Sequence, residues 1–341
     1  MCIYDVVVLI LFILWFLQYT THKSKPYYII GVFTLLFIML FRSPEFGADV
    51  PYFYDVYLGI GEETPEPGFM LWCKILRFLP SSAFIFTFMT YLFIMAPVIT
   101  GINKYSNDKI ASLIGLMVIT GMWTVHFITM RQAMAQAIML WGILAYFNKV
   151  KHWKTILIIC FSVVPFLHTS TVISIPILYF IFHNKFEKRH YLVVLAISFV
   201  FSGIATYFLV DIFNSITSTI TILNRMNGNI ENEDFFFEGF GLIQAAPTTI
   251  LSFWILHCIK GQSLNIFQKS FVTGSIVFNL LGQMWLTNRL VCIFWVLGLW
   301  GAFPATKKMP LVIGIYAILA WRLYSYYQDN MYFLPYQFVF E

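Results

Sequence analysis

Charge is what this chain has least of. Lys, Arg, Asp and Glu together make 11% of its 341 residues, where a soluble domain carries about 25%. The five cysteines, Cys2, Cys73, Cys160, Cys258 and Cys292, are scattered and form no CxxC or Cys/His spacing. That pattern argues against zinc and dithiol redox chemistry and leaves them as small apolar packing residues. There is no P-loop, no glycine-rich nucleotide fingerprint, no internal repeat of the kind many transporters carry, and no soluble domain. Chemistry on ATP or a nucleotide sugar therefore has nowhere to sit. Nothing suggests nucleic acid as a partner.

What the chain has instead is grease: 60% of residues are apolar, at a mean hydropathy of +0.78. Apolar runs recur from end to end, each long enough to approach the roughly 20 residues that span a hydrocarbon core. They fall near 3–19, 27–41, 82–101, 110–127, 131–147, 155–167, 169–183, 191–210, 240–259, 270–287, 289–303 and 310–325. The expectation is an all-α polytopic membrane protein, a single integral membrane domain over 1–341 with about twelve transmembrane helices. The first run lacks a positive n-region and a small-residue cleavage site, so it is read as a mature span.

Alternate loops carry the lysines: "THKSK", "NKYSNDK", "NKVKHWK", "HNKFEKRH", "KGQSLNIFQK" and "TKKM" hold fourteen of the 21 basic residues. The positive-inside rule makes these loops cytoplasmic and leaves both termini outside. The other seven, Arg42, Lys74, Arg77, Arg131, Arg225, Arg289 and Arg322, fall on the outer side with nearly all the acids. Arginine outside runs against the rule. Its planar fork suits phosphate and carboxylate, so the set points to an anionic substrate met from outside, or else to loop-holding ion pairs.

Hairpins between lysine clusters deliver Arg131, His168 and Arg289 to that same side. The hairpin from Lys154 to Lys185 is short, with helices of roughly 13 to 15 residues reaching about 20 Å each, against a core of about 30 Å. Its turn, "VPFLHTST", should lie below the outer surface, lining a protein-walled cavity that opens outward. Two outer loops are expected, about 42–81 and 211–239, the first re-entrant or interfacial. In it "FRSPEFGADVPYFYDVY" sets Asp49 before Val50-Pro51 as a helix cap, with Tyr54 and Tyr57 on one face. A second helix should start at Glu66-Pro67 and lie on the outer leaflet, with Lys74 and Arg77 on one stripe and Phe69, Trp72, Ile75 and Leu79 opposite.

The series Arg42, Gly47, Asp49, Tyr54, Tyr57, then "EPGF" (Glu66–Phe69), "RQAMAQAI" from Arg131, "FLHTST" around His168 and a late "FLPYQF" resembles the EpsG-like family of Wzy-type polymerases of bacterial surface polysaccharides. The resemblance implies a glycosyltransferase of the bacterial inner membrane, working at its periplasmic face without nucleotide sugars. It would join repeat units carried on undecaprenyl pyrophosphate into O-antigen, capsule or exopolysaccharide, with a chain-length regulator as a possible partner. Asp49, Glu66 and His168 are candidates for the base. Arg131 and Arg289 are candidates for steadying the leaving pyrophosphate, with Arg42 and Arg322 as weaker versions, and Tyr54 and Tyr57 for holding sugars. Neither a cofactor nor a metal is indicated. A transferase decorating each repeat from a polyprenyl-phosphate sugar, and a flippase for lipid-linked oligosaccharides, are the alternative readings. A flippase should line both leaflets with charge, and the acids here crowd onto one.

Overall fold

The apolar runs become helices wherever the chain can be followed. The computed structural model describes residues 3–43, 50–60, 66–79, 82–119, 129–202, 242–281 and 285–303, all helical or connecting, with no strand among them. In chain order the helices are α1 (Ile3–Thr21), α2 (Ser24–Leu40), α3 (Val50–Leu58), α4 (Pro67–Leu76), α5 (Ala83–Tyr105), α6 (Lys109–Val118), α7 (Met130–Phe147) and α8 (Trp153–Leu167). A 3₁₀ turn, Thr169–Ile173, leads to α9 (Ser174–His183), followed by α10 (Lys188–Val200), α11 (Leu242–Cys258), α12 (Ile266–Leu281) and α13 (Trp285–Leu299). The expected span at 310–325 and the outer loop at 211–239 lie outside the described residues, as does most of 42–81 between its helices.

Each expected span that falls on described residues coincides, at least in part, with a helix. Two expectations need correcting. The span at 110–127 is not one helix, because α6 closes at Val118 and Ile119 is extended (ψ 124°). The hairpin expected to deliver Arg289, whose turn the sequence sets at "LTNRL", does not turn there either, since α13 already begins at Trp285 and carries Arg289 in its second turn.

Among the described helices, α5 alone is both long and apolar enough to cross a membrane unaided. The ten residues of α6 and of α9 reach about 15 Å each. The membrane signature lies in the surfaces instead. Leu9, Ile13 and Phe16 on α1, Ile29, Ile30, Phe33 and Phe37 on α2, and Val193, Val194, Ile197 and Val200 on α10 are all exposed. Water would not tolerate contiguous apolar stripes on several helices, whereas lipid wets them at no cost.

Inside, small and polar residues draw the helices together, as they do where lipid removes the hydrophobic drive for association. A Cβ on Gly101 of α5 would fall 1.9 Å from the ring of Trp300, so glycine alone lets the residues after α13 close on α5. Asn279 of α12 accepts from Thr249 of α11 (2.9 Å) and donates to Ser198 of α10 (3.1 Å). Asp108, 6% exposed, caps the α6 backbone at Ala111 and takes hydrogen bonds from Trp15 and Tyr19. It is thus a clamp between α1 and α6 rather than a solvated loop acid.

Candidate active site

α4 begins as the sequence predicts. Pro67 supplies a preset φ at the first helical position and Glu66 stands at the N-cap with extended backbone. The side chain does not do what an N-cap acid usually does, for it makes no cap hydrogen bond. Its carboxylate turns away from its own helix and bonds Arg131 at the start of α7 through Oε2. The other oxygen, Oε1, lies 3.8 Å from Nδ1 of His168, the residue that ends α8. That separation suits an ion pair more than a hydrogen bond. The three side chains are 12% (Glu66), 23% (Arg131) and 16% (His168) exposed.

Neighbouring elements hold this cluster. The Arg131 guanidinium lies over the ring of Phe53 from α3, 4.6 Å from its centroid. Phe53 in turn meets Phe69 of α4 edge to face at 4.8 Å. Gly68 approaches α8 so closely that a Cβ would sit 2.8 Å from the carbonyl oxygen of Phe166. Each residue of "EPGF" is thereby accounted for. The acid reaches across, proline starts the helix, glycine permits contact with α8, and phenylalanine packs under the arginine's platform. On its far side His168 shares a 2.8 Å hydrogen bond between Nε2 and the Ser170 hydroxyl, in the 3₁₀ turn. The break between α8 and the 3₁₀ turn thus falls at His168, inside the stretch where the sequence puts a turn.

The electrostatics follow from the geometry. Burial pushes the Glu66 carboxyl up, but His168 and Arg131 beside it more than offset this and hold it below the ordinary carboxylate value. Glu66 is therefore ionised throughout the neutral range. A carboxylate held below its ordinary value accepts a proton less readily than a free one, and its charge orients the neighbouring histidine.

The structure brings together Glu66, Arg131 and His168 from three separated segments. Asp49 and Arg322 lie outside the described residues. Arg289 stands on α13, which packs against the 3₁₀ turn after His168. Arg42 is 0% exposed, its guanidinium 4.5 Å from the Tyr91 ring centroid. Tyr54 and Tyr57 stack at 6.0 Å, and Tyr57 also stacks on Phe86 of α5 at 5.1 Å. At 1% exposure Tyr57 is a packing residue between α3 and α5, which corrects its expected place on a sugar-holding surface.

The helix α4 also differs from expectation. Its protein-facing stripe is Phe69, Cys73 and Leu76, while Ile75 and Leu79 are exposed. Arg77, exposed like Lys74, also closes the C-terminus of α3: Nε and Nη2 each donate at 2.5 Å, to the carbonyls of Tyr57 and Val56. Burial pushes the Cys73 thiol up to about 12, which removes it as a nucleophile. Among the described residues no group of His, Cys, Asp and Glu could hold a metal. Sequence reasoning missed Phe53, Gly68 and Ser170. Gly68 lay within the quoted "EPGF", and Ser170 two residues beyond His168.

The model of the EpsG family matches residues 25–338, nearly the whole chain. No curated protein and no solved structure matches it.

Proposed function

The chain belongs to the EpsG family of membrane proteins associated with polysaccharide biosynthesis, and from that premise we propose that it is a polysaccharide polymerase. It joins oligosaccharide repeats carried on undecaprenyl pyrophosphate at the periplasmic face of the inner membrane. One observation carries the reading: a half-buried carboxylate, Glu66, is shared between a cation, Arg131, and a histidine, His168, each at the end of its helix.

In the proposed reaction a hydroxyl of the incoming repeat attacks the anomeric carbon of the growing chain. The bond from that carbon to the pyrophosphate oxygen breaks, and undecaprenyl pyrophosphate leaves with the electron pair. The hydroxyl proton passes to Nε2 of His168, the nitrogen turned away from Glu66 and now bonded to Ser170. Glu66 orients the ring and stabilises the imidazolium, a division of labour between base and carboxylate that is well precedented. Such a base contributes about 10²–10⁴-fold. Arg131 meets the charge developing on the pyrophosphate, and fixed cations in that role are a large catalytic term. Arg289 and Arg322 are further contacts for the anionic carrier, Tyr54 for sugar, and Asp49 is the second base candidate, while Arg42, fully buried against Tyr91, is left a packing role. The lipid carrier reaches the site from the bilayer.

The test is a gel of surface polysaccharide from the host with this gene deleted and then restored. Wild type should return a ladder that collapses to one lipid-linked repeat in the deletion. Arg131→Ala and His168→Gln should not, at membrane levels matched by immunoblot. A ladder that persists in the deletion with altered sugar composition overturns the polymerase in favour of a decorating transferase.

A further inference from the structure

Away from the candidate active site, where α9 ends and α10 begins, a cleft of about 510 Å³ is lined by Tyr179, Phe180, His183, Lys185, Phe186 and His190, with Asn184. The loop belongs to the lysine-bearing set and so to the cytoplasmic side. Tyr179 is 67% exposed, Phe180 and Phe186 are exposed beside it, and the apolar stripe of α10 continues from the cleft along the helix. The two histidines stack on this aromatic floor, His183 on Tyr179 at 4.1 Å and His190 on Phe186 at 5.5 Å.

Their hydrogen bonds set which ring atoms are left to a ligand. Nδ1 of His183 bonds the Tyr179 carbonyl at 2.8 Å, which it can do only as a donor. Nδ1 of His190 accepts from the Glu187 backbone N–H at 3.2 Å, so its Nε2 carries the hydrogen and is a donor. Nearby charges are already engaged: Glu187 pairs with Arg189 at 3.0 Å, and Lys188 donates to the Ile259 carbonyl at 3.0 Å. Lys185 is the cation on the rim. An apolar floor open to the bilayer, under a rim of ammonium and imidazole donors, matches an amphipathic anion.

We propose that this cleft is a binding site for the headgroup of an anionic phospholipid of the cytoplasmic leaflet, the phosphate on Lys185 and His190 and the upper acyl chain against Tyr179 and Phe186. A basic side chain near an anionic surface contributes about fivefold in affinity.

Native mass spectrometry of the full-length protein, extracted from vesicles of phosphatidylcholine doped with phosphatidylglycerol, reads the retained lipid. Wild type should retain phosphatidylglycerol over phosphatidylcholine. Lys185→Gln should lose about fivefold of that preference, and Lys185→Gln/His190→Gln should lose more. Lys260→Gln, in a different cytoplasmic loop, should lose nothing. Three results overturn the proposal: equal retention of the two lipids by wild type, equal loss in Lys185→Gln and Lys260→Gln, or displacement of the lipid by inorganic phosphate alone, which would make the cleft a site for the free anion. The exposed positions leave folding intact, and gel filtration of each variant checks this. A polymer ladder from Lys185→Gln bears on neither result, so the lipid site and the polymerase can fail separately.

Discussion

Glu66 shows how much a residue's meaning depends on what crosses the gap to meet it. Before a proline at a helix start, an acid is ordinarily a cap. Here it leaves the cap unfilled and serves Arg131 and His168. Its carboxyl is depressed, so the sign of its pH dependence is fixed. The contribution it makes to the fold is complete above the unfolded value of 4.5 and is lost only as pH falls through the lower folded value. The stability difference between wild type and Glu66→Gln should therefore stay constant across neutral pH and shrink only below 4.5. Arg131→Ala removes one of the charges holding the carboxyl down, so in that background the pH-dependent part of the difference should be smaller. Thermal unfolding in detergent over a pH series measures both, and shrinkage near neutrality in wild type would contradict the assignment.

At the scale of elements, the site exists because α4 can lie against the end of α8. Gly68 is the contact. Alanine there would gain about 0.8–1.0 kcal/mol of helix propensity, but its Cβ meets the Phe166 carbonyl at 2.8 Å. Overpacking of that kind costs about 1–3 kcal/mol, and the backbone is not free to swing aside, so the clash wins. Gly68→Ala should lower stability by about 1 kcal/mol by that difference. It should lower polymer formation far more, because displacing catalytic groups by an ångström costs about 10²-fold. Thermal unfolding and the polysaccharide ladder, run on the same variant, separate the two, and an undiminished ladder would sink the idea. The start of α4 was legible from Glu66-Pro67, yet the face it buries was not. Residues 69, 73 and 76 face protein while Ile75 and Leu79 face outward, and both faces are apolar. Periodicity marks the edge between apolar and polar. It has no power to divide an apolar face shared by protein and lipid.

Over the whole molecule, the lysine pattern predicts an orientation that the helices themselves leave open. With single cysteines in a cysteine-free background, Ile60→Cys, just after α3, should react with a membrane-impermeant thiol reagent on intact spheroplasts. Lys185→Cys, between α9 and α10, should react only after the membrane is opened. The reverse pattern would turn the protein over and put the Glu66 cluster in the cytoplasm, ending the proposed chemistry. In that predicted orientation arginine and lysine are sorted. Lysines of the loops predicted to lie inside work as caps and surface charge, as Lys188 does on the Ile259 carbonyl. The described arginines predicted to lie outside are each held against an aromatic ring or backbone carbonyls: Arg42 on Tyr91, Arg131 on Phe53, Arg77 on the end of α3.

By itself the sequence determined the helical class, the run of apolar segments and the helix break at His168, because these rest on local composition and on where charge interrupts it. It also singled out Glu66, Arg131 and His168, since charge and imidazole are conspicuous in so apolar a chain. Only the tertiary structure decided that these three meet. They lie 65 and 37 residues apart along the chain (Glu66 to Arg131, Arg131 to His168), and what closes those distances is Gly68 against Phe166 and Phe53 beneath Arg131. Tertiary packing likewise took Tyr57 into the interior and put Arg77 on the carbonyls of α3. A side chain's type is written in the sequence, but its partner is set by which backbones can approach.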